Sequence, residues 1–154
     1  KAFFDPRCRE LGWRQYFFDS SPPTDLPIFD KGHFDKLRVD HCIPETSIEL
    51  IKDKTFILEA GFDRLSGVSF TKGCYIGQEV TARMRHKTEL QKGLVKIKVK
   101  GKIRSSTDDI LFQNKVVGTI FTRVDDYAIA YVRFKYEKSP LKVGTEDVVC
   151  IKRY

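Results

Sequence analysis

The 154-residue chain is predicted to be α+β, with hairpin and helical segments over residues 1–89 and a small antiparallel β-barrel over 90–154. Two observations carry this expectation. In the second part, Leu94, Val95, Ile97 and Val99 interleave with Lys96, Lys98 and Lys100, the period of a strand with one apolar and one wet face. Further short extended runs follow at 109–113, 115–122, 127–133 and 148–152, punctuated by Asn114, Gly118, Asp125, Asp126 and Gly144, with no helical run between them. Such spacing is typical of a small barrel, which removes the exposed edges an open sheet would leave. In the first part, beyond an aromatic-rich hairpin, apolar residues recur at helical spacing over about 30–40 and at Ile76, Val80 and Met84.

Taken in order, the aromatic runs Ala2-Phe3-Phe4 and Trp13 to Phe18 flank a turn containing Pro6 and Gly12, which predicts a hairpin, with Gln15, Tyr16, Phe17 and Phe18 in a half-buried strand. The prolines Pro22, Pro23 and Pro27 make 20–27 a loop. A helix over about 30–40 follows, with Phe34, Leu37 and His41 on one side, and a shorter helical segment is expected over 47–51. His33 and His41 are read as surface or capping residues.

Hydrophobic content of 41% and charged content of 32% suit a globular chain able to bury a core. No apolar run approaches the length of a membrane span. Cys8, Cys42, Cys74 and Cys150 are scattered, with no C-x-x-C pair and no histidine at ligand spacing, so the sequence points to no metal site and to reduced thiols. The net charge of +7 is concentrated in Arg83, Arg85, His86, Lys87, Lys92, Lys96, Lys98, Lys100, Lys102 and Arg104. A solvated strand face accounts for most of this run. No aromatic RNA-binding signature accompanies it, so no direct nucleic-acid binding is expected.

Chemistry is concentrated between Phe70 and Arg83. Gly73 and Gly77 bracket a segment that exposes Cys74 and Tyr75, and good helix formers run from Gln78 to Met84. Ile76, Val80 and Met84 fall on one face, with Gln78, Glu79 and Arg83 on others. A helix start and the Lys72 cation both favour a thiolate at Cys74, making Cys74 and Lys72 the candidate reactive pair.

Lys72-Gly73-Cys74-Tyr75-Ile76-Gly77-Gln78-Glu79, with Arg83 after it, resembles the signature of the YgfZ family, folate-binding relatives of the glycine cleavage T-protein that support iron–sulfur enzymes. Phe4-Asp5-Pro6-Arg7, Leu11-Gly12-Trp13-Arg14, Ile43-Pro44-Glu45 and Gly67-Val68-Ser69-Phe70 fit the same family, so the landmarks span about the first half of the chain. The resemblance implies that residues 1–89 are the C-terminal portion of a T-protein-like folate-binding module and 90–154 its barrel, within a longer protein. Lys1 in place of an initiating methionine agrees with that expectation.

It implies tetrahydrofolate, or a folate derivative, as cofactor, and iron–sulfur enzymes or assembly proteins, including tRNA-modifying ones, as partners in a bacterial cytoplasm or a mitochondrial matrix. Phe56-Ile57-Leu58-Glu59-Ala60-Gly61 is similar to a T-protein segment whose carboxylate lies at the pterin end of the pocket, which assigns Glu59 there. Tyr75, Gln78, Glu79 and Arg83 complete the implied loop and binding set. The chain departs from the T-protein pattern at Ile57, where an arginine is usual, and at Cys74, where an aspartate is usual. An accessory folate-binding role is therefore favoured over a folate-dependent aminomethyltransferase, with a pure interaction module as the third reading.

Overall fold

The structure is a computed structural model that describes residues 2–18, 25, 27, 30–86, 89–101 and 108–154. The barrel consists of β3 (Lys92–Lys100), β4 (Asp109–Phe112), β5 (Lys115–Val124), β6 (Tyr127–Arg133), β7 (Leu141–Val143) and β8 (Glu146–Arg153). It closes in the order β3-β6-β5-β4-β7-β8, all pairs antiparallel, with β3 bonded to both β6 and β8. Turn chemistry fixes the register. Gln113 and Asn114, at φ 48° and 62°, join Phe112 to its partner Lys115 through a two-residue turn of the left-handed kind that matches strand twist.

Strand alternation supplies the interior. Val95, Ile97 and Val99 of β3 meet Ile110, Val117, Ile120, Ala130, Val132 and Leu141 in a dry core. Leu94 points the other way, into a second buried cluster with Val39, Cys42, Ala60 and Ile129. The outer face of β3 is therefore covered rather than solvated at this point. Lys96, expected on a wet face, pairs with Asp40 at 2.8 Å and lies over the Tyr127 ring.

What covers it is α1 (Lys31–His41) with the chain that follows. The Asp30 carboxylate accepts from the His33 N–H at 3.0 Å to cap the helix start, and Cys42 ends it in the left-handed region at φ 50°. Arg38, fully buried, donates to Glu49 at 2.8 Å, and the Thr122 backbone N–H donates to the same carboxylate at 3.2 Å. These contacts tie α1, the segment around Glu49 and β5 together.

Three expectations need correction, and one strand is additional. The hairpin forms from β1 (Ala2–Phe4) and β2 (Trp13–Gln15), but Ala2 pairs with Gln15 as the last rung, so Tyr16, Phe17 and Phe18 find no partner strand and are exposed. Residues 47–51 form turns around an isolated Thr46–Leu50 bridge, because Ser47 adopts φ 69° and Glu49 turns inward to Arg38. The second helix, α2 (Gln78–His86), forms where expected, yet only Thr81 is buried and Ile76 and Val80 face solvent. Strand β7, too short to leave a periodic signal, was not anticipated. Of the expected 20–27 loop all but Asp25 and Pro27, and of the basic run Lys87, Lys102 and Arg104, lie outside the described residues.

Candidate functional site

The signature stretch is a loop feeding a helix. Gly77 sits at φ 86° in open space, so its conformation, not crowding, calls for glycine. Gln78 turns back on the loop: its side-chain oxygen accepts from the Tyr75 N–H at 3.0 Å while its own N–H donates to the Tyr75 carbonyl at 3.2 Å, half of a capping box. Lys72 places its ammonium 4.9 Å from the centre of the Tyr75 ring. Cys74 between them is exposed and unbridged, open to a reagent or a soft metal-bearing partner.

A second part of the site is a cavity of about 370 Å³ between α2 and the start of the barrel, lined by Glu59, Glu79, Val80, Arg83, Met84, Glu89, Leu90, Gln91 and Lys92. Its size is that of a small-molecule pocket. Glu59, only 7% exposed, accepts from the Tyr131 hydroxyl through Oε2, and Lys92 Nζ stands 4.0 Å from the same oxygen. Burial, and then the Glu59 hydrogen bond, push the Tyr131 phenol well above its ordinary range, so it stays a donor.

The Glu59 backbone is fixed from below. Its carbonyl accepts from the Leu94 N–H at 2.9 Å, and a Cβ on Gly93 would lie 2.7 Å from that carbonyl oxygen. Gly93 is thus needed for the close approach of the Glu59 segment to β3.

The structure therefore divides the sequence-derived set. Glu59, Glu79 and Arg83 converge on one cavity; Cys74, Lys72, Tyr75 and Gln78 stand at the head of the loop and do not line it. α2 connects the two groups. Sequence reasoning missed Lys92 and Tyr131, which hold Glu59 from the barrel side. The alternation of β3 and β6 carried the only signal, since both sit on the barrel's outer face, opposite Gly93 and Val132.

A closed antiparallel barrel, with a helical layer docked on its outside and a cysteine-bearing loop leading to a helix that lines a cavity, defines the class as a small β-barrel domain with an α-helical layer packed against it. Residues 91–152 match the family described as CAF17, C-terminal beta-barrel domain. Over 152 residues the chain is 31% identical to the Mus musculus iron-sulfur cluster assembly factor IBA57, mitochondrial, covering 93% of this chain and 42% of that protein. It is 36% identical over 97 residues to the Homo sapiens IBA57, covering 61% of this chain and 27% of the human protein. A Phaeosphaeria nodorum homologue is 35% identical over 97 residues, covering 61% of this chain and 23% of that protein.

Residues 91–152 thus carry a barrel of the CAF17 C-terminal type, and over most of its length the chain is similar to proteins named as IBA57 iron-sulfur cluster assembly factors. It spans less than half the length of these relatives.

Proposed function

We propose that this chain is the C-terminal part of a tetrahydrofolate-binding accessory factor for the assembly or maintenance of iron–sulfur enzymes, tRNA-modifying ones among them, working in the mitochondrial matrix. The observation that carries the reading is the exposed Cys74 at the head of the loop leading into α2, the helix whose Glu79 and Arg83 line the Glu59 cavity, in a chain 31% identical to a protein named as an iron–sulfur cluster assembly factor.

The cavity suits a folate. Glu59 is a carboxylate held from one side by Tyr131 and Lys92, a residue type that accepts hydrogen bonds from an amino-pyrimidine edge. Arg83 supplies a cation for a glutamate tail. Cys74 is the soft ligand offered to an iron–sulfur cluster, the cargo, or to a protein that carries one. With Ile57 and Cys74 where the T-protein pattern has arginine and aspartate, aminomethyl transfer is the weaker reading.

Two measurements test this. Calorimetric titration of the full-length protein with tetrahydrofolate is expected to show saturable binding that Glu59→Gln weakens at least tenfold; binding unchanged in that variant overturns the pocket assignment. Cells relying on Cys74→Ser protein, at unchanged protein level, are expected to lose iron–sulfur enzyme activity; full activity overturns the role of the thiol.

A further inference from the structure

The hairpin and the end of α1 bring together three side chains that the function above does not use. Cys8 immediately precedes the 3-10 turn Arg9–Leu11, in extended conformation at φ −164° and ψ 127°. Its thiol does not cap that turn but donates to Glu10 Oε2 at 2.8 Å. His41 is the last residue of α1. The Cys8 sulfur, a Glu10 carboxylate oxygen and a His41 ring nitrogen all lie within 4.8 Å of one another.

We propose that Cys8, Glu10 and His41 form a binding site for a divalent transition cation of the zinc type. The donor set is one that zinc accepts, sulfur, nitrogen and oxygen, and a tetrahedral zinc with bonds of about 2.0–2.3 Å holds its ligand atoms about 3.5 Å apart. The Cys8–Glu10 pair is already closer than that, and His41, within 4.8 Å of both, needs an adjustment of at most about 1.3 Å, within reach of a side-chain rotation at a half-buried position.

Charge supports the placement. A thiolate and a carboxylate offset a divalent ion, and the site lies at the C-terminal end of α1, where the helix dipole is negative. Arg64 and Arg9 are the opposing charges nearby; Arg64 is occupied with the His41 and Cys42 carbonyls, and Arg9 lies over the Phe4 ring. As the metal–sulfur bond forms, the thiol proton leaves to solvent; no electron is transferred.

Three protein ligands with Glu10 exposed leave the fourth position to water, so the site is open and exchangeable rather than a sealed structural one. The metal also bridges two parts of the fold. Cys8 and Glu10 belong to the loop of the β1–β2 hairpin, while His41 belongs to the helix docked on the barrel.

The test is titration of the reduced full-length protein with Co2+ alone, followed by competition with Zn2+ and with Mg2+. One equivalent is expected to bind with a thiolate-to-cobalt absorption band that Zn2+ abolishes and Mg2+ does not. Cys8→Ser is expected to remove the band, Glu10→Gln and His41→Ala to weaken binding at least tenfold, and Cys74→Ser to leave it intact. Zn2+ is also expected to raise the melting temperature of the wild type and not of Glu10→Gln, an exposed substitution that leaves the fold undisturbed. Absence of the band in the wild type, its survival in Cys8→Ser, or its loss in Cys74→Ser each overturns the proposal.

Discussion

The Arg38 guanidinium meets the Glu49 carboxylate at 2.8 Å with both side chains wholly shielded from solvent. The same carboxylate accepts from the backbone N–H groups of Glu45 at 2.9 Å and Thr122 at 3.2 Å, so a charge removed from water is met from several sides. Replacing Arg38 with Met leaves Glu49 buried without its cation and is expected to cost about 3–5 kcal/mol. The double replacement Arg38→Met with Glu49→Leu is expected to recover most of that loss. Urea unfolding midpoints of the three proteins check both statements.

At Gly93 a methyl group would stand 2.7 Å from the Glu59 carbonyl and 2.9 Å from the Phe134 ring, with backbone on one side and an aromatic on the other. Gly93→Ala is expected to destabilise by about 1–3 kcal/mol, as overpacking does. It is also expected to move the Glu59 carboxylate, which folate titration of the variant would register as weaker binding. A variant with wild-type stability and affinity would show that the Glu59 segment has room to shift.

The four thiols differ in environment, and a labelling experiment resolves them. Cys74 is exposed and is expected to react first with an alkylating reagent in the native protein. Burial pushes Cys150 up to about 11 and Cys42 up to about 12, so both are expected to be protected until the chain unfolds. For Cys42 the neutral thiol is the favoured form in the fold. Its contribution to stability is intact below the ordinary thiol value of 9.0 and is lost as pH rises from there towards about 12. Alkaline unfolding is expected to be shallower in Cys42→Ala, as measured by circular dichroism.

In the hairpin, side-chain hydrogen bonds from Arg7, then from Arg14, hold the Asp5 carboxyl well below the usual carboxylate range against the opposing effect of burial. A depressed value means that this stabilisation is present above the ordinary 3.8 and disappears as pH falls below it. Amide exchange of the β1 and β2 residues, followed by NMR, is expected to accelerate in acid before that of the barrel strands. Asp5→Asn is expected to remove the difference.

The barrel was legible because strands with one buried face write a period of two into the sequence, as Val95, Ile97 and Val99 do against Lys96 and Lys98. The three residues of β7 are too few to show a period. Arg38 was not legible, since an arginine in a helix ordinarily faces water and its partners Glu49 and Thr122 are 11 and 84 residues away. The same distance problem hid Lys92 and Tyr131 behind Glu59 and His41 beside Cys8, for contacts of that range are set by topology and not by local pattern. In α2 the reverse occurred. Ile76, Val80 and Met84 have the spacing of a core-facing stripe, but among the described residues nothing packs over Ile76 or Val80 closely enough to bury them.

β3 bonds to β8 and completes the ring, so that each described strand of the barrel has a neighbour on both sides, with β4 meeting β7 at the single pair Leu111–Lys142. Among the described residues the sheet with open sides is the pair formed by Ala2–Phe4 and Trp13–Gln15. Among the described strands, that small ribbon is therefore the one with a whole side of backbone groups on offer to an added strand.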